Sequence, residues 1–417
     1  MKKLMFILLL FPVFLFSQDI KYAHNVIDSL SSPALNGRGY TYNGDKLASK
    51  FIANELKSFK IPPFEISYYQ EFIINTNVFP NQMFVTINKK KLKAGVDYII
   101  DSRSNSINGT FKIVVLDEKI ISNELKFNRF KSKKYSNVFI LVDTTGLNDK
   151  SFSKEYRKIV NENSLKARGI ICFSPKLTYV PARKQKKFVR IIVEKLALPK
   201  KIKKITLKID AKFLFRHKTR NVAGFIKGEI DSFIVLTAHF DHLGNMGKDV
   251  FFPGAHDNAS GCAMVLNLAK DFSQMDSLKY GIAFIFFSGE ELGLLGSKYY
   301  VDHPLFPLEK IKFLLNLDMM GSGDEGVQIV NSSIFINEYN LMLDLNKKYN
   351  LLTNVKKRGT AANSDHYFFY ANGVPSYFIY SLGKYKQYHN IYDTRENIPL
   401  SGYNQMFKLF KLFILNL

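Results

Sequence analysis

The chain predicts an α/β fold, a mostly parallel central sheet flanked by helices, with a small β-rich domain inserted into it. Three observations predict this class. First, Phe233–Thr237, Ile282–Phe287, Phe313–Leu317 and Tyr377–Tyr380 are short, nearly continuous apolar runs. Strands buried on both faces of a parallel sheet read this way. Second, helical stretches such as Gly261–Asp271 and Asn337–Tyr349 follow these runs, the alternation that parallel sheets require. Third, residues 76–215 differ in kind from their surroundings. They carry 31 Lys and Arg against 11 Asp and Glu, a net of +20, whereas 18–75 and 216–417 together carry 26 against 25. Nearly all of the chain's net charge of +23 belongs to one segment. Charge and pattern therefore divide the 417 residues in the same place, into 18–75 with 216–417 and an insert at 76–215.

In chain order, residues 4–17 form an apolar run behind Lys2 and Lys3 that ends at the small residue Ser17. It is short for a bilayer span and reads as a signal peptide, residues 1–17, cut near Ser17–Gln18. That predicts export to the periplasm or the exterior. No later segment reaches transmembrane length without charges, so no stable membrane span is expected. Ala23–Leu30 and Gly44–Phe59 read as amphipathic helices, separated by the Gly- and Pro-punctuated stretch SSPALNGRGYTYNG. Within the insert, Met83–Ile87, Phe111–Leu116, Asn137–Val142, Gly169–Phe173 and Ile205–Ile209 read as strands, and Ser153–Ala167 as helical. At the far end, Asn404–Leu417 is an apolar helix carrying Lys408 and Lys411, expected to dock on the sheet rather than on a membrane.

Only Cys172 and Cys262 are present, in the apolar contexts GIICFS and SGCAMVL. Two cysteines make no disulfide framework, and buried free thiols are expected. A metal site in this chain must therefore draw on His, Asp and Glu.

Ligands of open α/β sheets gather outside the carboxyl ends of the strands. Here the apolar runs lead into metal-competent side chains. The first continues as Ala238 to His242 (AHFDH) and the glycine-marked loop GAHDNASG with Asp257. The second ends at Glu290 and Glu291, the third at Asp318, and His389 follows near the C-terminus. Two imidazoles and three carboxylates suffice for a two-metal hydrolytic site that shares a bridging carboxylate. A further carboxylate is needed to move the proton of the attacking water, and the pair Glu290-Glu291 can supply a base and a ligand. Asp241, two residues after His239, is near enough to accept its second ring N–H.

The runs TAHFDHLG, GAHDNASG, FSGEELGLLGS, NLDMMG and YHNIYDT resemble, in order, the motifs of the dizinc aminopeptidase family. That family includes secreted leucine-type aminopeptidases, and glutamate carboxypeptidase and glutaminyl cyclase are its relatives. The stretch NGRGYTYNGDKLASKFIANELK resembles the family's N-terminal helix region. The resemblance implies the zinc-peptidase fold over 18–75 and 216–417, and two zinc ions. It implies Asp257 as the bridging carboxylate, His239 and Asp318 as further ligands of one zinc, and Glu291 and His389 of the other. Glu290 matches the general base, Asp241 the partner of His239, and Tyr388 a tyrosine that in some members hydrogen-bonds the tetrahedral intermediate. His256 stands where the family often has Asp, next to the ligand rather than at it. Ser364-Asp365-His366 resembles another motif near the active site, in which Asp365 either meets the amino terminus of the substrate or is structural. The insert resembles, more weakly, the protease-associated domain of many members, with Gly169–Phe173 as a core strand.

The activity so implied is removal of N-terminal residues from peptides, through a metal-bridging water and a Glu general base. A carboxypeptidase or a glutaminyl-cyclase-like enzyme on the same fold is the alternative, and a catalytically inactive binding homologue is a third reading that the intact set of ligands argues against. The expected partners are peptide substrates. The basic insert suits an anionic surface partner or is plain solvated surface, and nucleic acid is not expected for an exported peptidase.

Overall fold

The computed structural model describes residues 19–145 and 152–417, so the signal-peptide reading of 1–17, with its cut at Ser17–Gln18, lies outside the described residues. Among the described residues there are two eight-stranded sheets. The first receives β1 (Tyr69–Val78) as an edge strand. The chain then builds the second sheet from β2 (Phe84–Ile87), β3 (Lys90–Leu92), β4 (Tyr98–Ile100) and β5 (Ile107–Leu116). That sheet is completed by β6 (Val138–Val142), β7 (Gly169–Phe173), β8 (Val189–Val193) and β9 (Lys204–Ile209). Its order is β3-β2-β9-β5-β6-β7-β8-β4.

The 15-residue β10 (Lys212–Ile226) then returns to the first sheet, antiparallel to β1 from Tyr69↔Val222 to Val78↔Lys212. Thr76–Val78 and Lys212–Phe215, read from sequence as the ends of the insert, therefore lie in strands of the first sheet. Charged residues such as Lys212, Arg216 and Lys218 in the exposed first half of this strand give it the composition of the insert. Pairing with β1 decides where it belongs.

The remaining strands are β11 (Ile230–His239), β12 (Tyr280–Phe287), β13 (Ile311–Asp318), β14 (Gly326–Val330), β15 (Val355–Lys357) and β16 (Ser376–Leu382). The first sheet runs β1-β10-β12-β11-β13-β16-β14-β15, with β12, β11, β13 and β16 mutually parallel at its centre. These four contain the four apolar runs. Alternate residues of one run serve opposite faces, as strand geometry requires. Ile282, Phe284 and Phe286 join the larger core, and Ala283, Ile285 and Phe287 join a second cluster with Tyr300, Phe306 and Phe369.

The helix Ser260–Phe272 is buried on nearly every side and packs beneath β11 and β13. The helices Ile20–Leu30 and Gly44–Ser58 cover it from the N-terminal side. The C-terminal helix Tyr403–Leu415 puts Met406, Phe410 and Phe413 into the same core, the docking its apolar face requires. Among the described residues no helix is long and apolar enough to cross a membrane. The expected helix at Ser153–Ala167 is shorter. It runs Phe152–Tyr156, widens over Arg157–Asn161, and ends before Asn163 and Lys166, which take left-handed conformations. Cys172 and Cys262 are free and buried.

Candidate metal centre

β11 lies between β12 and β13, and the chain leaves it first to one side and then to the other. This makes a topological switch point, where loops diverge and open a crevice at the carboxyl ends. The pairs His239↔Phe287 and Thr237↔Asn316 bring the three strand ends level. His239 and Asp318 are the last residues of β11 and β13, Glu290 and Glu291 follow β12 by a short turn, and Asp257 sits in the loop before Ser260–Phe272. That loop starts from Gly254 at φ +61, where a Cβ would lie 2.3 Å from the Asp257 carbonyl oxygen, so only glycine fits. The Asp257-Asn258 peptide is cis.

The side chains converge on a cavity of about 260 Å³ lined by His239, Asp257, Glu290, Asp318, Tyr388 and His389, with Phe378 and Tyr380 on its wall. His239 Nε2 is 3.3 Å from Asp257 Oδ1 and 3.5 Å from Asp318 Oδ1. His389 Nε2 is 3.0 Å from Asp257 Oδ2 and 3.1 Å from Glu291 Oε2. Asp257 thus turns one oxygen to each imidazole. A tetrahedral ion with ligands at about 2.0–2.2 Å has donor atoms about 3.3–3.6 Å apart, so these spacings suit a cation. Asp318 Oδ1 is buried and has no hydrogen-bond partner among the described residues, as an oxygen reserved for a metal would be.

The electrostatics state the same need. Burial and then the charges of Glu291, Asp365 and Asp318 hold Glu290 well above the usual carboxylate range, against the pull of His239. Burial works against charge on His239 too, but Glu290, Asp318 and Asp257 outweigh it and raise the imidazole well above its ordinary value. His389 is driven up to about 11, its burial likewise outweighed by Glu291 and Asp257. Carboxylates this crowded require positive partners, and bound cations supply them in place of protons.

Asp241 is placed differently from the sequence expectation. His239 Nδ1 faces the backbone carbonyl of Asp241 at 3.2 Å, whereas the carboxylate oxygen is 3.8 Å away. The Asp241 carboxylate instead accepts the Glu290 N–H at 3.1 Å and the Tyr40 hydroxyl at 2.8 Å, so it anchors the Glu290 turn. Asp365 does not line the cavity. It is fully buried, with Oδ1 accepting the Ser297 hydroxyl at 2.5 Å and Oδ2 without a hydrogen-bond partner among the described residues. His256, beside Asp257, accepts the Gly321 N–H at Nδ1. Tyr388 stacks flat on His389, ring centroids 3.9 Å apart.

Three further residues complete the site. His242 donates from Nδ1 to Glu291 Oε1 at 2.8 Å, and with Asp257 and Glu291 it forms a second group of metal-competent atoms. Asp393, in the run YHNIYDT, accepts the His256 N–H at 2.9 Å and the Asp257 N–H at 3.1 Å, while its carbonyl accepts Ala255 N–H. Arg38, in NGRG, is fully buried and donates to the carbonyls of Leu30, Phe240, Pro253, Gly254 and Asp257 at 2.6–3.1 Å. One guanidinium therefore ties the first helix, the end of β11 and the Asp257 loop together. For His242 the available signal was a second histidine three residues beyond His239. Nothing local marked Arg38, whose partners lie more than 200 residues away apart from Leu30.

Residues 221–414 match peptidase family M28. A 182-residue segment is 32% identical to aminopeptidase YwaD of Bacillus subtilis, covering 41% of this chain and 38% of that protein. A 126-residue segment is 35% identical to the probable leucine aminopeptidase 2 of Aspergillus oryzae, covering 30% and 24%. The chain thus spans well under half of these curated relatives. Among solved structures, a zinc aminopeptidase from Bacillus subtilis superposes over 96% of this chain and 95% of its own, with a TM-score of 0.68 at 21% identity. A peptidase M28 precursor from Shewanella amazonensis superposes over 96% and 93%, with a TM-score of 0.69 at 18% identity. These two likenesses establish the α/β fold with its second sheet. The segment that matches peptidase family M28, residues 221–414, is the one that carries His239, Asp257, Glu290, Glu291, Asp318 and His389.

Proposed function

We propose that the protein is an aminopeptidase that holds two zinc ions and removes N-terminal residues from peptides. The observation that carries this reading is the bidentate posture of Asp257, one oxygen 3.3 Å from His239 and the other 3.0 Å from His389. One ion would be held by His239, Asp257 and Asp318, the other by Asp257, Glu291 and His389, with His242 holding the far oxygen of Glu291. When bound, the ions would supply Lewis-acid polarisation of the scissile carbonyl and acidification of water.

The chain's own residues do the rest. Glu290, its backbone held by the Asp241 carboxylate, stands 4.0 Å from His239 and is left out of both sets of ligands. It takes a proton from the attacking water and returns it to the departing amine. Tyr388 is the candidate donor to the oxyanion, since its ring is held over the cavity by stacking on His389. Phe378 and Tyr380 form an apolar and aromatic wall for the N-terminal side chain. Export through the run at 4–17, and a division into a peptidase unit with an inserted domain, belong to the same reading.

The test is a hydrolysis screen of aminoacyl reporters beside N-blocked and C-terminal substrates, with and without chelator. Chelator-sensitive cleavage of free-amine reporters supports the reading. Cleavage confined to C-terminal substrates, or cyclisation of N-terminal glutamine, supports one of the alternatives on this fold.

A further inference from the structure

The second sheet carries a cavity of about 650 Å³ bounded by Asp101, Arg103, Tyr179, Arg183, Lys184 and Arg190. Asp101 is its one acid among the described residues, and it is already satisfied. Arg103 contacts it through Nε at 3.0 Å and Nη2 at 2.7 Å, and Arg190 pairs with the same carboxylate. Four cations face one anion, and Arg183 and Lys184 are exposed and form no ion pair among the described residues. Arg190 Nε is buried without a hydrogen-bond partner among the described residues. A guanidinium N–H left in that state at a cavity wall is a donor awaiting an acceptor.

This cavity is not remote from the metal centre. The Tyr179 N–H donates to the His389 carbonyl at 3.0 Å, and the Tyr179 ring stacks on Phe252 at 4.8 Å. The loop that walls the cavity is therefore fastened to the loop that carries a metal-site histidine. Between them lies a cleft of about 490 Å³ with Lys176 and Lys386 on its sides. The cleft adjoins the basic cavity at Thr178 and the metal-site cavity at Tyr388.

We infer that these three cavities form one track for an extended peptide, and that the basic cavity is a distal subsite for acidic side chains downstream of the scissile bond. The inference rests on the aminopeptidase reading for the direction of the peptide, whose N-terminus lies at the metals and whose remainder crosses the cleft. Guanidinium forks favour carboxylates, which they meet with two parallel hydrogen bonds. An extended chain advances about 3.3 Å per residue, so the preference is absent from dipeptides and appears as the peptide lengthens.

The test uses two series of peptides with N-terminal Leu, from two to about ten residues, whose downstream positions are Ala or Asp and Glu. Wild type is compared with R183Q/K184Q, a change of two exposed side chains outside the catalytic machinery. We expect kcat/KM for long acidic peptides to exceed that for neutral ones by roughly three- to tenfold at low salt, the scale of one or two partly exposed ion pairs. The double variant should lose that preference while cleaving a Leu reporter at the wild-type rate. An equal rate for both series, a preference already full in dipeptides, or one unchanged in the variant overturns the inference. Fluorescently labelled peptides, titrated directly, separate this from the activity itself. If no reporter is cleaved but acidic peptides bind the wild type more tightly than the variant, the subsite stands and the aminopeptidase reading falls. If reporters are cleaved and binding ignores charge, the reverse holds.

Discussion

The metal-site cavity and the basic cavity both bury carboxylates, and they neutralise them in opposite ways. Over the strand ends of the first sheet, Asp257, Glu290, Glu291 and Asp318 crowd around two imidazoles, and negative charge is in excess. In the second sheet, Asp101 is enclosed by Arg103 and Arg190, and positive charge is in excess. The difference teaches what each region is built to receive. Burying unpaired charge is costly, so a cavity with a fixed surplus of one sign is matched to a mobile partner of the other. The first suits divalent cations, the second carboxylates. The protein's own covalent counter-charges decide which.

The sharpest way to break this contrast is at Glu290, the carboxylate proposed to move protons rather than hold metal. Glu290→Gln should lower kcat by about 10²–10⁴-fold, with metal content by elemental analysis unchanged. A metal-replete variant of near wild-type activity would remove Glu290 from the mechanism.

Next in size is the metal content itself. Asp257→Ala should deplete both of the proposed ions, and His389→Ala chiefly one. Asp393→Asn alters only a residue that holds the Asp257 loop, so its metal affinity should fall by about 10–100-fold with stoichiometry restored at high zinc. Two tightly bound equivalents in Asp257→Ala would contradict the shared carboxylate.

Arg38→Lys tests whether the first region depends on a cation that no carboxylate neutralises by contact. A lysine offers three rotatable donors in place of five fixed ones, leaving at least two buried carbonyls unpaired. A loss of roughly 2–5 kcal/mol in denaturant unfolding is expected. If the midpoint does not move, the guanidinium is dispensable to the loop.

The smallest effect is expected in the second region. Burial alone would raise the Asp101 carboxyl, but its hydrogen bonds and ion pairs with Arg103 and Arg190 hold it below the ordinary range. A carboxyl depressed in the folded state contributes stability that is present above its unfolded pKa and is lost as pH falls through the folded one. Wild type should therefore lose this increment on acidification below the usual aspartate range. Asp101→Asn should be less stable at neutral pH and should show a shallower acid dependence. Parallel acid-unfolding curves for the two proteins would show that the arginines do not stabilise the carboxylate.

The sequence by itself determined the central strands and the residues at their ends. Runs such as Ile282–Phe287 are buried on both faces, so their composition alone announces them, and the crevice outside the carboxyl ends follows from strand–helix alternation. His239, Asp257, Glu290, Glu291 and Asp318 were legible as candidates because each stands at a strand end or in a glycine-marked loop, and His389 through the resemblance that YHNIYDT carries. Only the tertiary structure decided how the first sheet ends, because the first half of β10 is largely exposed and carries charged residues, and its pairing with β1 spans more than 130 residues. It also decided which atom of Asp241 meets His239, that Asp365 turns to Ser297, and that Arg38 and Asp393 hold the Asp257 loop. Those contacts are hydrogen bonds between groups distant in the chain. A pattern of residue types names the donors and acceptors in a sequence, but which of them pair depends on where the fold leaves each one once water has been excluded.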